Sequence, residues 1–424
     1  MLENFPGPPR TRPEAAEWNN WGQNQRFRPQ EVRHPGTEIG VRDAVRSAIS
    51  KGESVRAAGS GHSYTPVVET EHTLLDLRRI SGIVSLDQAK RQAFVRSGTI
   101  LADLGEPLWK AGYSLANQGD THGQTLAGAT ATGTKGSGKR LGTLSSMIRG
   151  LRLVNGHGEI VDIDGTDPEL LQSAQVSLGL LGIVTEITIE VVPAYRLQES
   201  NRIMGIDDLL ADWDSAVEQY RHFSFFWSPR DASSEMYSLP PTPADHAWVK
   251  FLSEEPAENG DLKRPSIEGA WGNRNGRSYL IYPDITGEQS GEYVELEYMV
   301  DERHAKEAFL AVRDLMLTKY PDQSPVQVRW QQADSAFLSA QYQRDSVSIS
   351  VSGSRAGDYD KFLRAVDAEL RPFSARPHWG KMHYLGPEDV ALLYPGLTRF
   401  LSIRDKFDPQ GIFLNRHFKH LFRR

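Results

Sequence analysis

A histidine lies in a short glycine-rich loop that follows an apolar segment. The loop consists of Ala58, Gly59, Ser60, Gly61, His62 and Ser63. Its two glycines let the backbone turn tightly and present N–H groups to an anion such as a pyrophosphate. Taken alone, the loop is better explained as an ordinary turn, and the three-glycine dinucleotide pattern fails because Tyr64 stands at the third glycine position. The imidazole of His62 is also a competent nucleophile near neutral pH.

A second stretch, residues 117–138, is rich in glycine and threonine. Its candidate binding residues are Gly119, Thr125, Gly128, Thr130, Thr132 and Gly133. Small residues at this density let the backbone approach a large flat ligand closely, and threonine hydroxyls offer hydrogen bonds to its polar atoms. The two stretches together predict a site for a large flat ligand.

Two later segments alternate polar and apolar residues as half-buried strands do. Gln327 and Arg329 alternate with apolar neighbours, so both polar side chains emerge on one face. The second segment places its serines on one face in the same way: Ser346, Ser348, Ser350 and Ser352. Two such strands predict the floor of a wet cavity for a small polar ligand.

The bulk composition excludes several classes of protein. With 424 residues the chain is too long for one compact core, which favours two domains or two lobes. A formal net charge of -7 provides no basic field for nucleic acid. The chain has no cysteine, so disulfides, thiolate catalysis, thiolate metal sites and attachment of a cofactor through sulfur are all excluded. We predict no metal site.

The amino-terminal sequence and the hydropathy pattern bear on location. Residues 1–12 carry proline and charge where a signal peptide needs an apolar stretch, and no later run approaches membrane-spanning length. We therefore expect a cytoplasmic protein with no membrane partner.

The first half of the chain reads as alternating helices and strands. The segment up to about Pro35 predicts irregular chain held by tryptophans. A helix should begin after Thr37 and end at Gly52, followed by a strand over residues 55–58. Residues 151–154 and 159–163 predict a hairpin. Alternation predicts a further strand from Ile183 to Val192, and Pro193 should end it, so we place a domain boundary near residue 195.

The second half has a different pattern. Strands are predicted over residues 293–300, 326–330 and 347–352, with an amphipathic helix after Asp301. The proline- and glycine-rich stretch from Pro229 to Asn275 predicts a loop or excursion. Strands flanking helices in this way indicate an α+β fold with a mixed or antiparallel sheet covered on one face.

Five ordered motifs resemble the vanillyl-alcohol oxidase family, specifically its aldonolactone oxidase and alditol oxidase branch. They are residues 59–63, 128–138, 177–184, 377–381 and 407–415. The resemblance covers nearly the whole chain. It implies a two-lobed FAD-binding domain of the PCMH type over residues 1–195. A substrate (cap) domain with a mainly antiparallel sheet covered by helices is implied over residues 196–424, its carboxy-terminal segment returning to the flavin.

The resemblance implies how the cofactor is held. In that family the histidine of the glycine-rich loop bonds to the 8α carbon of FAD, so His62 is the expected attachment site. A structural histidine in a turn is the alternative. The family also implies cofactor contacts at Gly182, Ile183, Val184, Asn415 and His417. His417 suits a surface position equally well.

The family pattern further implies catalytic roles and shows departures from them. Arg329 and Lys381 are expected to stabilise negative charge near the flavin and the reacting hydroxyl. Gln327 stands where the family has glutamate, and Ser352 where it often has histidine. A neutral amide can serve neither as a base nor as a counter-charge for Arg329. Asp120 is the candidate replacement carboxylate, although a solvated turn aspartate is about equally expected.

Two further positions bear on the family comparison. Gly119 leaves open a path that bulkier residues close in relatives, which favours oxygen as the electron acceptor. Lys135 stands where the family commonly has histidine, and nothing in the sequence explains that change.

The resulting functional prediction is an oxidase that oxidises a CH–OH group of a sugar lactone or polyol by hydride transfer to flavin N5, with oxygen reduced to hydrogen peroxide. A dehydrogenase using another acceptor is the first alternative. A hydroxy acid substrate is another, because Arg329 and Lys381 have no evident counter-charge in the sequence. The remaining alternatives are a flavin-binding protein whose catalytic site has decayed and a protein without flavin whose glycine loops arise by chance.

Overall fold

A computed structural model describes residues 17–257, 264–283 and 293–424, and the statements below concern those residues. The strands of the first half are β1 Trp18–Asn19, β2 Arg26–Phe27, β3 Glu31–Arg33, β4 Val55–Ala58, β5 Thr73–Asp76, β6 Ile83–Asp87, β7 Gln92–Arg96, β8 Tyr113–Ser114, β9 Ile148–Val154, β10 Ile160–Asp164, β11 Ile183–Glu190 and β12 Val192–Pro193. The helices are α1 Glu38–Lys51, α2 Ala102–Lys110, α3 Leu126–Ala131 and α4 Pro168–Gln175, with a 3-10 turn at Ser145–Met147.

The second half contains longer strands. They are β13 Tyr195–Gly205, β14 His222–Ser228, β15 His246–Pro256, β16 Ile267–Ala270, β17 Asn273–Arg277, β18 Tyr293–Asp301, β19 Val326–Gln331, β20 Ser346–Ser354 and β21 Arg376–Pro377. The helices are α5 Ile206–Gln219, α6 Ser278–Ile281, α7 Ala305–Lys319, α8 Tyr359–Leu370, α9 Pro387–Leu393, α10 Leu397–Phe407 and α11 Arg416–Leu421. Three 3-10 turns occupy Asp231–Tyr237, Glu302–His304 and Arg371–Phe373.

A small parallel sheet, in the order β3-β5-β4, presents the histidine loop at the end of β4. Helix α1 lies before β4 and is confirmed at both ends. The hydroxyl of Thr37 accepts a hydrogen bond from the Gly40 N–H, and Gly52 follows the helix with φ of 64°, in the left-handed region that glycine favours. The buried stripe of α1 packs against Val55 and Leu75, which fixes the direction in which β4 delivers the loop.

The second sheet is antiparallel, in the order β10-β9-β11-β7-β6. The predicted hairpin is confirmed, since Val154 pairs with Ile160. The predicted strand from Ile183 is also confirmed, with every second residue buried, but β11 ends at Glu190. Pro193 is not what ends β11, because it is the last residue of the separate strand β12 and pairs with Tyr113 of β8.

The third sheet has nine strands, in the order β16-β17-β13-β15-β14-β19-β20-β18-β21, and its pairings are antiparallel. Helices α5, α7 and α8 pack against it. The expected α+β fold with a mainly antiparallel second half is therefore confirmed. Every strand of this sheet begins at Tyr195 or later. The boundary at residue 195 itself stays a prediction.

The register of this sheet creates the expected polar face. Gln327 lies directly opposite Ser350, and Arg329 opposite Ser348. Because residues opposite each other in an antiparallel pair point to the same face, the polar side chains of β19 and β20 form one surface. The shared polar face predicted from alternation is confirmed, but the prediction that both strands floor a wet cavity is only partly right. The serines of β20 are at most 2% exposed and none of them lines the cavity above this face, whereas Gln327 and Arg329 of β19 do.

The segment from Pro229 to Asn275 was expected to be a loop, and this prediction is wrong. Strand β15 pairs along its length with β13 on one side and β14 on the other. Residues 247–252 are all buried, so both faces of the strand are apolar or packed and no alternation marks it. Prolines on either side of the strand obscured it further. Residues 258–263 of this segment lie outside the described part.

The opening segment is less irregular than expected. Strands β1 and β2 form a short hairpin in which the rings of Trp18 and Phe27 lie 5.0 Å apart. The prediction about residues 1–12 falls outside the described residues. No helix of the described part is both long and apolar enough to cross a bilayer.

Arg56 of β4 connects the loops around the histidine loop to the carboxy-terminal segment. Its guanidinium is buried and donates to the carbonyl oxygens of Val67 at 3.0 Å, Leu178 at 2.6 Å, Gly179 at 3.0 Å and Phe413 at 2.8 Å. Burial lowers its pKa to about 10, which still leaves it charged at neutral pH. One side chain therefore satisfies carbonyls from three separate segments.

Replacement of Arg56 by methionine tests this connection. The four carbonyls would lose their charged donor, so we expect the free energy of unfolding to fall by about 3 kcal/mol. Urea denaturation followed by fluorescence measures the change. Arg78→Met is the matched control, because Arg78 is exposed and its ion pair with Asp76 lies at the surface. Equal stability of both variants would contradict the assignment.

Candidate active site

Two adjoining spaces meet at the histidine loop. The first, here called the narrow pocket, has a volume of about 120 Å³ and is lined by residues 56–63, 177–179 and 182–184 together with the start of α3. The second, here called the wide cavity, has a volume of about 710 Å³ and lies above the polar face of the nine-stranded sheet. His62 and Gln124 line both. A ligand with two chemically different ends can therefore occupy both spaces at once.

The narrow pocket depends on close backbone packing. A Cβ atom on Gly59 would lie 2.0 Å from Oγ1 of Thr125, so no side chain fits there. The hydroxyl oxygen of Thr125 is in turn 3.4 Å from the Gly128 N–H, at the start of α3. The Oγ of Ser60 and the Oε1 of Gln124 are buried and have no hydrogen-bond partner among the described residues. Buried polar atoms of this kind need a partner, and the polar groups of a bound cofactor would supply one.

Most of the predicted cofactor residues line the narrow pocket. They are Ala58, Gly59, Ser60, Gly61, His62, Ser63, Thr125, Gly128, Thr132, Gly182, Ile183 and Val184. Gly119 lines the wide cavity instead. Glycine and threonine spacing thus located two segments of the pocket lining, and the family resemblance located residues 182–184.

Four predicted cofactor residues do not line either space: Thr130, Gly133, Asn415 and His417. The hydroxyl of Thr130 donates to the Leu126 carbonyl at 2.9 Å, so it serves its own helix. Asn415 caps α11 and donates to the Pro66 carbonyl at 2.7 Å. The ring of His417 lies 5.8 Å from that of His383. The side chains of Thr130 and Asn415 therefore act in local structure.

His62 is held as a neutral imidazole. Its ring stacks on Trp21 with centroids 5.2 Å apart. Burial, reinforced by the positive charge of Lys381, lowers its pKa to about 4. At neutral pH the ring therefore keeps a free lone pair on one nitrogen, as a nucleophile requires.

Arg329 lies between two carboxylates on the floor of the wide cavity. Its Nη1 donates to Oδ2 of Asp120 at 2.7 Å and its Nη2 to Oε1 of Glu297 at 2.6 Å. The Nε2 of Gln327 donates to the same Asp120 oxygen at 2.6 Å. Asp120 thus occupies the position of counter-charge that Gln327 cannot fill. The expectation that Arg329 lacks a counter-charge is wrong.

Lys135 occupies the other side of Glu297. Its ammonium contacts the Glu297 carboxylate and donates to Oγ of Ser348 at 2.7 Å. The position that the sequence left unexplained therefore provides a second cation for a buried glutamate. Alternating charges therefore follow one another along the floor of the cavity, in the order Lys135, Glu297, Arg329 and Asp120. This series is here called the charge chain.

Lys381 has its own partner. Its ammonium contacts the carboxylate of Glu295, whose Oε1 accepts a hydrogen bond from Ser350 at 2.6 Å. About a fifth of the Lys381 side chain is exposed, so it faces the cavity while ion-paired. The expectation that Lys381 lacks a counter-charge is therefore also wrong.

The pKa values of Glu297, Arg329 and Lys135 keep these three side chains charged at neutral pH. Burial alone raises the pKa of Glu297, but Lys135 and Arg329 outweigh it and hold the pKa well below its usual range. Burial lowers the pKa of Arg329, yet Asp120 and Glu297 raise it above its ordinary value. Burial, with help from Arg329, lowers the pKa of Lys135 to about 8.

Glu295 and Glu297 are the functional residues that sequence reasoning missed. Tyr293, Glu295 and Glu297 alternate along β18 with Val294 and Leu296, which is the signal that marks a half-buried strand. What the alternation does not give is the neighbouring strand. Glu297 lies opposite Ser350 and Glu295 opposite Ser352, so their carboxylates join the polar face of β19 and β20.

Ser352 has a different surrounding from the other candidates. It is fully buried and does not line the wide cavity. Its hydroxyl accepts a hydrogen bond from the phenol of Tyr237 at 2.5 Å, and Tyr237 does line the cavity. Of the predicted catalytic residues, Asp120, Gln327, Arg329 and Lys381 meet in the cavity, whereas Ser352 lies behind Tyr237.

Two family models match this chain, and a solved structure shares its fold. A family model described as FAD binding domain matches residues 29–164, and one described as D-arabinono-1,4-lactone oxidase matches residues 187–254 and 285–421. The solved structure of cholesterol oxidase from Brevibacterium sterolicum superimposes with a TM-score of 0.81 at 16% identity, over 99% of this chain and 100% of that one. The likeness is one of fold.

Full-length relatives identify the family. The chain is 31% identical to the L-gulono-1,4-lactone dehydrogenase of Mycobacterium tuberculosis over 94% of this chain and 97% of that protein. It is 27% identical to the L-gulonolactone oxidase of Bos taurus, over 96% and 98%, and 27% identical to a Streptomyces alditol oxidase, over 95% and 98%. The chain belongs to the FAD-linked aldonolactone and alditol oxidase family, and it is an FAD-dependent oxidoreductase. The small-residue walls and partnerless polar atoms of the narrow pocket fit this cofactor.

Glu297→Gln tests the charge chain without any substrate. It leaves the buried ammonium of Lys135 without its carboxylate, so we expect the free energy of unfolding to fall by about 3 kcal/mol in urea denaturation. Adding Lys135→Met removes that charge as well and should restore most of the loss. Glu268→Gln, at a half-exposed position, is the control and should change stability by less than about 0.5 kcal/mol. A double variant no more stable than Glu297→Gln alone would show that Lys135 is not the partner.

Proposed function

We propose that the protein oxidises a CH–OH group of a neutral sugar lactone or polyol, with FAD attached covalently through His62 and oxygen as the electron acceptor. The observation that carries this proposal is the charge balance of the wide cavity. Among the described residues, its lining contains three cationic side chains and three carboxylates: Lys135, Arg329, Lys381, Asp120, Glu295 and Glu297. Each cation contacts at least one of the carboxylates.

A balanced cavity favours an uncharged substrate. An anionic hydroxy acid would have to displace Asp120 from Arg329 or Glu295 from Lys381, leaving a buried carboxylate without its partner. A neutral polyhydroxy compound instead offers hydroxyl groups that donate to carboxylates and accept from cations. The relatives named for gulonolactone and for alditols act on compounds of this neutral class. The hydroxy acid alternative is therefore disfavoured.

The residues of the cavity support such a reaction in three ways. FAD, when bound, supplies the hydride acceptor at its N5 atom. Lys381 and Arg329 donate to the substrate oxygen as negative charge develops on it. Asp120, oriented by Gln327 and Arg329, accepts the hydroxyl proton on its carboxylate. Trp21, Tyr293 and Phe226 add aromatic surface to the lining of the same space.

The properties of His62 support a covalent bond to the cofactor. It lies where the two spaces join, and its neutral ring has a nucleophilic nitrogen at all pH values well above its pKa of about 4. A histidine in water, with a pKa near 6.5, would be mostly protonated at pH 5.5. The loop thus provides both the position and the protonation state that attachment needs.

Replacing His62 by alanine tests this bond. The variant should lose all flavin on acid precipitation, while His122→Ala, at another histidine of the same cavity, should keep its flavin in the pellet. In flavin-free wild-type protein mixed with FAD, covalent incorporation should proceed equally at pH 5.5 and pH 7.5. A yellow His62→Ala pellet would refute the bond. If the rate of incorporation fell as the pH was lowered, with a midpoint near pH 6.5, the proposal that His62 is neutral at pH 5.5 would be refuted.

Gly119 supports oxygen as the acceptor. It lines the wide cavity, and a Cβ atom there would lie 3.0 Å from Cγ2 of Thr134, so a side chain would narrow this part of the wall. The dehydrogenase alternative has its own support, because one full-length relative from Mycobacterium tuberculosis is named as a dehydrogenase. Hydrogen peroxide formed in a one-to-one ratio with oxidised substrate supports the oxidase. Turnover only with an artificial acceptor supports the dehydrogenase.

The experiment that tests the proposed activity is an anaerobic screen of aldonolactones, alditols and aldoses against the oxidised holoenzyme. Loss of flavin absorbance with at least one lactone or alditol is the expected result. Absence of bleaching with every neutral compound, at millimolar concentration and over an hour, would instead support a flavin-binding protein without this activity.

A charge exchange tests the role of Asp120. Gln327→Glu places a second carboxylate where Gln327 now donates to Asp120, and Asp120→Asn removes a counter-charge of Arg329. Each single variant should lower kcat/KM about 100-fold, equivalent to about 2.7 kcal/mol. The double variant restores one carboxylate and one amide in exchanged positions, and it should recover to within about tenfold of wild type. Losses that simply add in the double variant would contradict the proposed role.

A further inference from the structure

The wide cavity extends well beyond the reacting groups. An unbroken series of aromatic contacts leads from His62 to the protein surface through the rings of Trp21, Tyr293, Tyr237, Phe226, Trp248 and Trp271. The successive ring centroids are 5.2, 6.0, 5.6, 5.9, 5.8 and 5.8 Å apart. With bonds of about 1.5 Å, a six-carbon chain reaches only about 6 Å. Trp271 lines the same cavity as Lys381 and Arg329, so it is placed to contact a part of the substrate other than the reacting end.

Trp271 forms the outer end of the series and is unusually exposed. Its exposed fraction is 43%, although it lines the cavity and stacks on Trp248. It lies in the tight turn between β16 and β17, next to Gly272 with φ of 86°. Because this indole also lines a concave cavity, it is placed to contact a bound ligand.

The exposed indole is also held in place. The guanidinium of Arg274 lies 4.4 Å from the centroid of the Trp271 ring. Arg274 is itself fixed, since it donates to both carboxylate oxygens of Glu199, at 2.6 and 3.0 Å, and to the Ile281 carbonyl at 3.0 Å. Glu199 is completely buried. A buried ion pair thus orders an aromatic side chain that faces solvent, which lowers the entropic cost of binding against it.

We propose that Trp271, supported from behind by the buried ring of Trp248, forms an outer subsite that binds a glycosyl ring attached to the oxidised polyol or lactone. The apolar C–H groups of a sugar ring suit an aromatic surface, and its hydroxyls suit polar side chains of the cavity lining, such as that of Ser238. Because each cation of the cavity already contacts a carboxylate, the bound ligand does not have to carry an anionic group. This inference rests on the proposed function for the reacting end of the substrate, and it adds the substrate class: a glycosylated alditol or aldonolactone.

Calorimetric titration of the holoenzyme with three glycosyl alditols tests the subsite. Maltitol, cellobiitol and lactitol carry α- or β-linked rings on D-glucitol, and D-glucitol itself is the one-unit reference. Reducing the flavin with dithionite under nitrogen prevents turnover, so binding is measured alone. At least one glycosyl alditol should bind tenfold or more tightly than D-glucitol. In Trp271→Ala that advantage should disappear while the affinity for D-glucitol is unchanged.

Ile267→Ala is the matched control, because Ile267 lies in the same hairpin, is 40% exposed and does not line the cavity. It should keep the wild-type preference. Equal binding of all four compounds by the wild type, or a preference that survives in Trp271→Ala, would overturn the subsite. Failure of the anaerobic screen would instead refute the proposed oxidation. It would leave the subsite untouched, because the titration measures binding to the reduced enzyme and does not depend on turnover.

Discussion

The position of Arg329 between Asp120 and Glu297 is the interaction on which the rest of the site depends. A guanidinium that is only 6% exposed cannot remain in a protein interior without counter-charge, and here two carboxylates share it. Glu297 in turn requires Lys135. The pairing of β18, β19 and β20 exists in a single register, because a shift of one residue would turn these charged side chains into the apolar face.

This constraint links the two halves of the chain. Asp120 and Lys135 come from the glycine- and threonine-rich stretch beside the narrow pocket, whereas Glu297 and Arg329 come from the nine-stranded sheet. The same ion pairs that balance the floor of the cavity therefore hold the FAD-binding part against that sheet. His62 reaches the junction from a third direction, on the loop that β4 and Arg56 position. The cofactor, the reacting hydroxyl and the charge chain consequently converge at one place.

Local sequence patterns predicted the pieces of this site better than their partners. Glycine spacing located the histidine loop, and alternation located Gln327 and Arg329 on one face. Sequence analysis missed Glu295 and Glu297 because their role depends on which strand lies next to β18. A short stretch of sequence does not show which distant strand it pairs with. Sequence analysis also missed strand β15, because both its faces are buried and its sequence therefore shows no alternation of polar and apolar residues. The family pattern drew attention to Gln327 and Lys135 as departures and suggested Asp120 as the replacement carboxylate. The geometry places Asp120 against Arg329, and it alone identified Glu297 as the partner of Lys135.

The most direct test of the account compares neutral and anionic substrates of equal length. Stopped-flow reduction of the flavin under nitrogen would be measured for xylitol against D-xylonate, D-glucitol against D-gluconate and galactitol against D-galactonate. Because every cation of the described cavity already contacts a carboxylate, an alditol should reduce the flavin at least about 100-fold faster than the matching aldonate at the same concentration. Reduction by the aldonates at equal or greater rates would contradict the claim that the site is balanced for an uncharged substrate.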